Sequence, residues 1–350
     1  MVISWSIIWI GQTSLNLQND SQVSGGGAVL SFPYEGIPLS ATSQQKIVRR
    51  IAGSNVWLSH GSQVANDSLG LFESKNLHYE VLPSEEVVGR TMLEEIEKLA
   101  AAKNGPLVVI ILGGRGAQAL HRQLGVLART TQIDGLLKRL HIFTQDALAP
   151  LRMNNGLSFV RDFERLLGEE FFRKVLSFNT IQTDAPDLEL ELGRYVERLE
   201  SLGGIDLFFL GLGPEAEAAS HLAYIKPHSG ARISDVAGMI PISNSILEHH
   251  ITKFKAGGSQ VSEADEEECR AAKHILTLGP AAIMGARMIV QSIVDASTAP
   301  TKRQSFRRLL DSEISSDSTE REKQLDENPG LWLRLHPNVR SLILADVLEN

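Results

Sequence analysis

Cysteine is nearly absent: the one in 350 residues, Cys269, rules out an internal disulfide and points to a reducing, cytoplasmic setting. Glu266, Glu267, Glu268 and Arg270 around it read as helix, with the thiol a bystander. Basic charge is also short, 34 Lys and Arg against 42 Asp and Glu, giving a formal net charge of -8 and a pI near 5.7. Nucleic-acid backbones are bound by clustered cations, so nucleic acid is not an expected partner, whereas a small anion held by a few local groups is. No apolar run reaches the ~18 to 20 residues of a membrane span, and no membrane association is expected. Residues 1–10 are apolar but have no Lys or Arg ahead of the run and no cleavage site behind it, so they read as a buried strand rather than a signal peptide. The adjacent His249 and His250 lack a third ligand at metal spacing, and no metal centre is expected.

What the chain does have is 43% hydrophobic residues, enough for a substantial core in one large or two modest domains. One run organises the rest. Residues 106–112 are unbroken and apolar, and they stop at Gly113-Gly114-Arg115-Gly116-Ala117 before helical spacing begins at Gln118. A strand covered on both faces loses its in-out alternation, so this segment reads as a buried parallel strand feeding a glycine turn and a helix. Such a turn bares backbone N–H groups at the positive end of the helix dipole, which suits a phosphate; a plain strand-to-helix connection fits the residues equally well.

Two later strands follow the same plan. Residues 140–146 end on the Asp146 carboxylate, and residues 205–210 run into Gly211-Leu212-Gly213-Pro214. Further strands are expected at 78–82, 288–294 and 341–346, with apolar segments at 237–243 and 273–279. Helices are expected at 84–103, with Ser84 as N-cap, and at 118–127, 157–175, 187–202, 262–272, 280–286 and 305–310. Residues 312–328 read as a polar loop. Ahead of residue 76 there are short apolar runs such as 28–32 and 56–58 and one helix signal at 43–52, with no recognisable chemistry. The expected architecture is a 1–75 extension followed by a 76–350 α/β domain with a doubly wound, mainly parallel Rossmann-like sheet. Ligands in such sheets sit beyond the carboxyl ends of the strands, which would gather Gly113, Asp146 and Gly213 around one crevice.

The order strand, Gly113-Gly114, helix, strand ending at Asp146, then Gly204-Ile205-Asp206-Leu207 and Gly211-Leu212-Gly213-Pro214 resembles the glucosamine-6-phosphate deaminase (isomerase) and 6-phosphogluconolactonase family. Ile242-Ser243-Asn244-Ser245, Leu276-Thr277-Leu278-Gly279 and Leu335-His336-Pro337 resemble the deaminase branch more than the lactonase branch. The likeness spans about residues 78–346.

The resemblance implies a sugar-phosphate isomerase type of fold, a phosphorylated sugar as substrate, and no metal or organic cofactor. It places phosphate at Gly113, Gly114, Arg115 and Gly116, with Arg115 where relatives carry a small hydroxyl residue. It casts Asp146 as the base that moves a proton between sugar carbons; the glutamate that follows in deaminases is Ala147 here. The next motif admits two registers. Without a gap, Glu215 and Glu217 fall on the family's aspartate and histidine; with a four-residue insertion, His221 is the histidine that assists ring opening, and Lys226 replaces a glutamate. Gly211 and Gly213 border the substrate in either register. Ile246 stands where deaminases carry a phosphate-binding arginine, and the family's later lysine falls near Thr298, with Lys302 close by. The expected activity is deaminating aldose-ketose isomerisation of a phosphorylated amino sugar. A lactonase and a catalytically degraded sugar-phosphate sensor are the rivals, and a homo-oligomer is left open. Asp146 as a helix cap, His221 as a surface histidine, and Glu215 and Glu217 as acids favouring a helix start are the structural readings of the same residues.

Overall fold

The computed structural model describes residues 47–61, 74–213 and 221–349; the strand expected at 1–10 and the run at 28–32 lie outside the described residues. The described residues open with the hairpin β1 (Ile47–Ala52) and β2 (Asn55–His60), then β3 (Tyr79–Leu82), α1 (Glu85–Ala102), β4 (Leu107–Ile111), α2 (Gln118–Ala128) and α3 (Asp134–Leu137). There follow β5 (Leu140–Thr144), β6 (Asp146–Ala149), α4 (Phe159–Lys174), β7 (Ser177–Asn179), α5 (Leu188–Ser201), β8 (Leu207–Leu210) and β9 (Asp235–Pro241). The last third holds α6 (Asn244–Ala256), α7 (Glu263–Arg270), β10 (His274–Leu278), α8 (Pro280–Met284), β11 (Met288–Ile293), α9 (Thr301–Asp311), α10 (Ser318–Glu327) and β12 (Val339–Leu344).

Seven strands form one parallel sheet in the order β3-β12-β11-β8-β4-β5-β7. The expected doubly wound α/β sheet is therefore present. All five residues of β4 are buried, because alternate side chains enter different cores. Val108 and Ile110 join Phe208 and Leu210 in one; Leu107, Val109 and Ile111 join Leu207 and Phe209 in the other. Just before β8, Asp206 accepts the Val108 N–H at 2.9 Å and pairs with Lys103 at 2.7 Å, fixing β8 beside β4. From β4 the chain winds outward through β5 and β7, then returns to β8 on the other side of β4. The direction of winding therefore reverses between β4 and β8, and their carboxyl ends open a crevice there.

A second, five-stranded antiparallel sheet, β1-β2-β9-β10-β6, departs from the expected architecture. It takes in the segments at 237–243 and 273–279. It also takes in β1 and β2, so the compact unit begins near Gln45 rather than at residue 76. Residues 43–52 were expected to be helical; the described part, 47–52, is strand instead, because Gly53 at φ +58° and Ser54 close a two-residue hairpin that pairs Ala52 with Asn55. Trp57 of β2 is fully buried across from Gly238, where a Cβ would stand 2.6 Å from the indole ring. Residues 312–328 are not all loop either. Asp317 caps α10 by accepting the Glu320 N–H at 2.9 Å, and Leu325 is its apolar anchor. Among the described residues, no helix is long and apolar enough to cross a membrane.

Candidate active site

The crevice between β4 and β8 is a cleft of ≈ 640 Å³ counted to open solvent. Gly113, Gly114, Arg115 and Gly116 from the end of β4, Asp146 from beyond β5, and Gly211 and Gly213 from the end of β8 all border it, as the strand pattern requires.

The glycines of the first turn answer to close packing. A Cβ on Gly113 would lie 2.0 Å from the Phe159 ring, and Gly114 has φ +73°. The Ser292 hydroxyl of β11 donates to the Gly116 carbonyl at 2.7 Å and pins the turn. A 3-10 turn, Arg115–Ala117, leads into α2, and no side chain caps the start of either. Backbone N–H groups there are left for an anion. Arg115 itself is partly exposed and ion-paired with Glu85 at the start of α1, which raises its pKa.

Asp146 is 3% exposed. Strand β5 stops at Thr144; the chain crosses to the antiparallel sheet at Gln145, and Asp146 begins β6 there rather than ending the parallel strand. Burial pushes its carboxyl up to about 7, against the hydrogen bond from the Gln145 side-chain amide.

On the far side of the cleft, β11 ends close to Asp295. This 5% exposed carboxylate pairs through Oδ1 with Lys302 Nζ at 2.5 Å; Lys302, from the first turn of α9, is also buried. Burial alone would raise the Asp295 pKa, but Lys302, then His249 and Lys253, outweigh it and hold it below the usual range. Asp295 Oδ2 is buried without a hydrogen-bond partner and lies 3.9 Å from His249 Nε2. Helix α6 contributes His249 and Lys253, one turn apart, and Lys253 donates to Thr298 Oγ1. Tyr224 also lines the cleft. Its phenol is held above its ordinary pKa by burial, then by the carboxylates of Asp146 and Asp295.

Of the remaining expected residues, Glu215 and Glu217 lie outside the described residues. His221 is 1% exposed and packs under Gly213, whose Cβ would stand 2.5 Å from the imidazole Nδ1. Lys226 donates to the Pro241 carbonyl at 2.6 Å and is not among the described cleft-lining residues. Ile246 is core, as an apolar residue on the buried face of α6 should be. Tyr224, His249, Lys253 and Asp295 are the cleft residues that sequence reasoning missed. One signal was available: His249 and Lys253 are spaced i, i+4 on a helix.

No family model matches the chain. Glucosamine-6-phosphate deaminase of Porphyromonas gingivalis is 24% identical over 230 residues, which cover 64% of this chain and 77% of that protein. A monomeric glucosamine-6-phosphate deaminase structure superposes with TM-score 0.58 at 19% identity, over 77% of this chain and 98% of its own. The 6-phosphogluconolactonase of Trypanosoma cruzi gives TM-score 0.54 at 14% identity, over 80% and 98%. In fold the chain is similar to solved glucosamine-6-phosphate deaminase and 6-phosphogluconolactonase structures, and in sequence it is distantly similar to glucosamine-6-phosphate deaminases.

Proposed function

We propose that the cleft binds a phosphorylated amino sugar and that Asp146 catalyses its aldose-ketose isomerisation with release of ammonia, in the cytoplasm. The observation that carries this reading is a buried carboxyl poised near 7 in a cleft that also offers uncapped backbone amides and two lysines. Arg115 and Lys302 are each paired with a carboxylate, Glu85 and Asp295, and Ile246 is core, so the phosphate cradle is assigned to Lys253 and the amides of the Gly114–Gly116 turn, with Lys302 close behind.

With phosphate in that cradle, C1 and C2 of the open-chain sugar extend towards Asp146. Ionised Asp146 takes the proton from C2 and returns it to C1 through a cis-enediol-like intermediate, while O1 gains the proton that the 2-ammonium group gives up; water then hydrolyses the resulting C2 iminium to ketose and ammonia. Tyr224, kept protonated, stands between the carboxylates as a hydrogen-bond donor to the sugar.

Incubation of the full chain with glucosamine 6-phosphate, following ammonia and fructose 6-phosphate, tests the reading. Saturable turnover that falls about 10² to 10⁴-fold in Asp146→Asn is expected. Absence of both turnover and calorimetric binding, for this substrate and for 6-phosphogluconolactone, overturns it. Binding without turnover identifies a sensor.

A further inference from the structure

We propose that His249, backed by Asp295, is the acid-base group that opens the sugar ring in this cleft. The inference rests on the sugar-phosphate reading of the same pocket. A C2 proton is acidified only when C1 is a free carbonyl, so a cyclic substrate needs a group that moves a proton from the anomeric hydroxyl to the ring oxygen. Family resemblance gives that task to His221, yet His221 is buried beneath Gly213 and is not among the described residues lining the cleft. The histidines that do line it are His249 and His250.

His250 is already committed. Its Nε2 is hydrogen-bonded to the Leu157 carbonyl at 2.6 Å, and its ring stacks on Phe254 at 4.1 Å and meets Phe159 edge-on at 5.1 Å. His249 is different: its side chain is 22% exposed, and Nε2 faces a buried carboxylate oxygen that has no donor of its own. Lys302 occupies the other oxygen of Asp295, so the carboxylate is fixed in place and a small rotation of the imidazole completes a hydrogen bond to it. A carboxylate behind an imidazole sets its tautomer and orientation.

The position along α6 agrees. Lys253 lies one turn beyond His249, roughly 5 to 6 Å away on the same face. In a hexose 6-phosphate the ring oxygen is four bonds from phosphorus, so a phosphate on Lys253 and Lys302 brings that oxygen level with His249. The charged groups facing His249 are Asp295, Lys302, Lys253 and His250; burial first, then Lys302, holds its pKa down to about 4, which leaves a neutral imidazole able to accept a proton.

The step balances. His249 takes the O1 proton, the O1 electrons form the C1=O bond, and the C1–O5 pair departs to O5. The same proton then passes from His249 to O5, leaving the histidine neutral.

His249→Ala should lower turnover of glucosamine 6-phosphate about 10² to 10⁴-fold, recover part of it with added imidazole, and keep its affinity for the open-chain 2-amino-2-deoxyglucitol 6-phosphate within about threefold. Asp295→Asn should lower kcat without raising KM, because Lys302 is freed for phosphate. Full turnover in His249→Ala with analogue binding intact overturns the assignment and leaves the sugar-phosphate reading standing. So does a loss that imidazole fails to restore, or an unchanged protein that binds the analogue without turning over substrate. If the unchanged protein neither binds the analogue nor turns over substrate, the sugar-phosphate reading itself fails and takes this assignment with it.

Discussion

A carboxylate buried to 3% exposure beside one amide donor trades stability for reactivity. With a folded pKa of about 7 against 3.8 unfolded, Asp146 holds a proton in the folded state between about pH 4 and 7 that the unfolded chain has lost. Its contribution to stability therefore declines as pH rises through that window and is flat above it. Asp146→Asn should consequently melt higher than the unchanged protein, by a margin that grows from pH 5 to pH 8 in calorimetric scans, while kcat/KM of the unchanged protein climbs to a plateau through about pH 7. Lys302 and Asp295 couple in the opposite sense. Lys302→Met strands a buried carboxylate and should cost about 3 to 5 kcal/mol in urea unfolding, most of it recovered in the double variant Lys302→Met with Asp295→Leu. The sequence made the glycines legible because they end apolar runs, and it made Asp146 legible because it follows the β5 run by two residues, although it begins β6. Tyr224, the α6 pair His249 and Lys253, and Asp295 come from three separate segments, and only the tertiary fold brings them to one cleft.

Helix starts show what a sequence can say about elements. Ser84 accepts the Val87 N–H at 3.3 Å, and Ser262 and Asp265 form a reciprocal capping box on α7, so both boundaries fell where the residues put them. The start of α2 has no such device, and the turn before it is shaped by packing instead. Gly113→Ala drives a methyl into the Phe159 ring and should destabilise the fold by about 1 to 3 kcal/mol; Phe159→Leu in the same chain should return much of that, as read by thermal melts. Two elements were illegible for definite reasons. In α10 the apolar anchor is essentially Leu325 alone, too little for a helical period, and β1 leaves Val48 and Ile51 exposed, so its alternation carries no clean inward face.

For the whole molecule, buried neutral histidines set the acid limit. Burial holds His121 at about 3 and His249 and His250 at about 4, below the unfolded value of 6.5. The unfolded chain therefore takes up protons first, so stability is full above about pH 6.5 and is lost as pH falls towards 4. Asp146 opposes this trend, one group against these three and the similarly lowered His141, His274 and His336. Urea midpoints should drop from pH 7.5 to pH 4.5, and His121→Leu should flatten the drop, since neither ring nitrogen of His121 has a hydrogen-bond partner. The antiparallel sheet was the largest feature that the pattern of strands hid, because β6, β9 and β10 are as apolar as their parallel counterparts. Its meeting with the parallel sheet falls on one residue. The N–H of Gln145 donates to Ile111 of β4 at 2.9 Å, and its carbonyl accepts from Leu278 of β10 at 3.1 Å. Asp146 is the next residue, so the reactive carboxyl hangs from a bracket bolted to two walls. Sliding one wall against the other would shift it while every other cleft residue of the parallel sheet stayed put. In the proposed reaction the rate is thereby exposed to tuning from residues such as Thr277, the cross-strand neighbour of Asp146, which is fully buried and out of a ligand's reach.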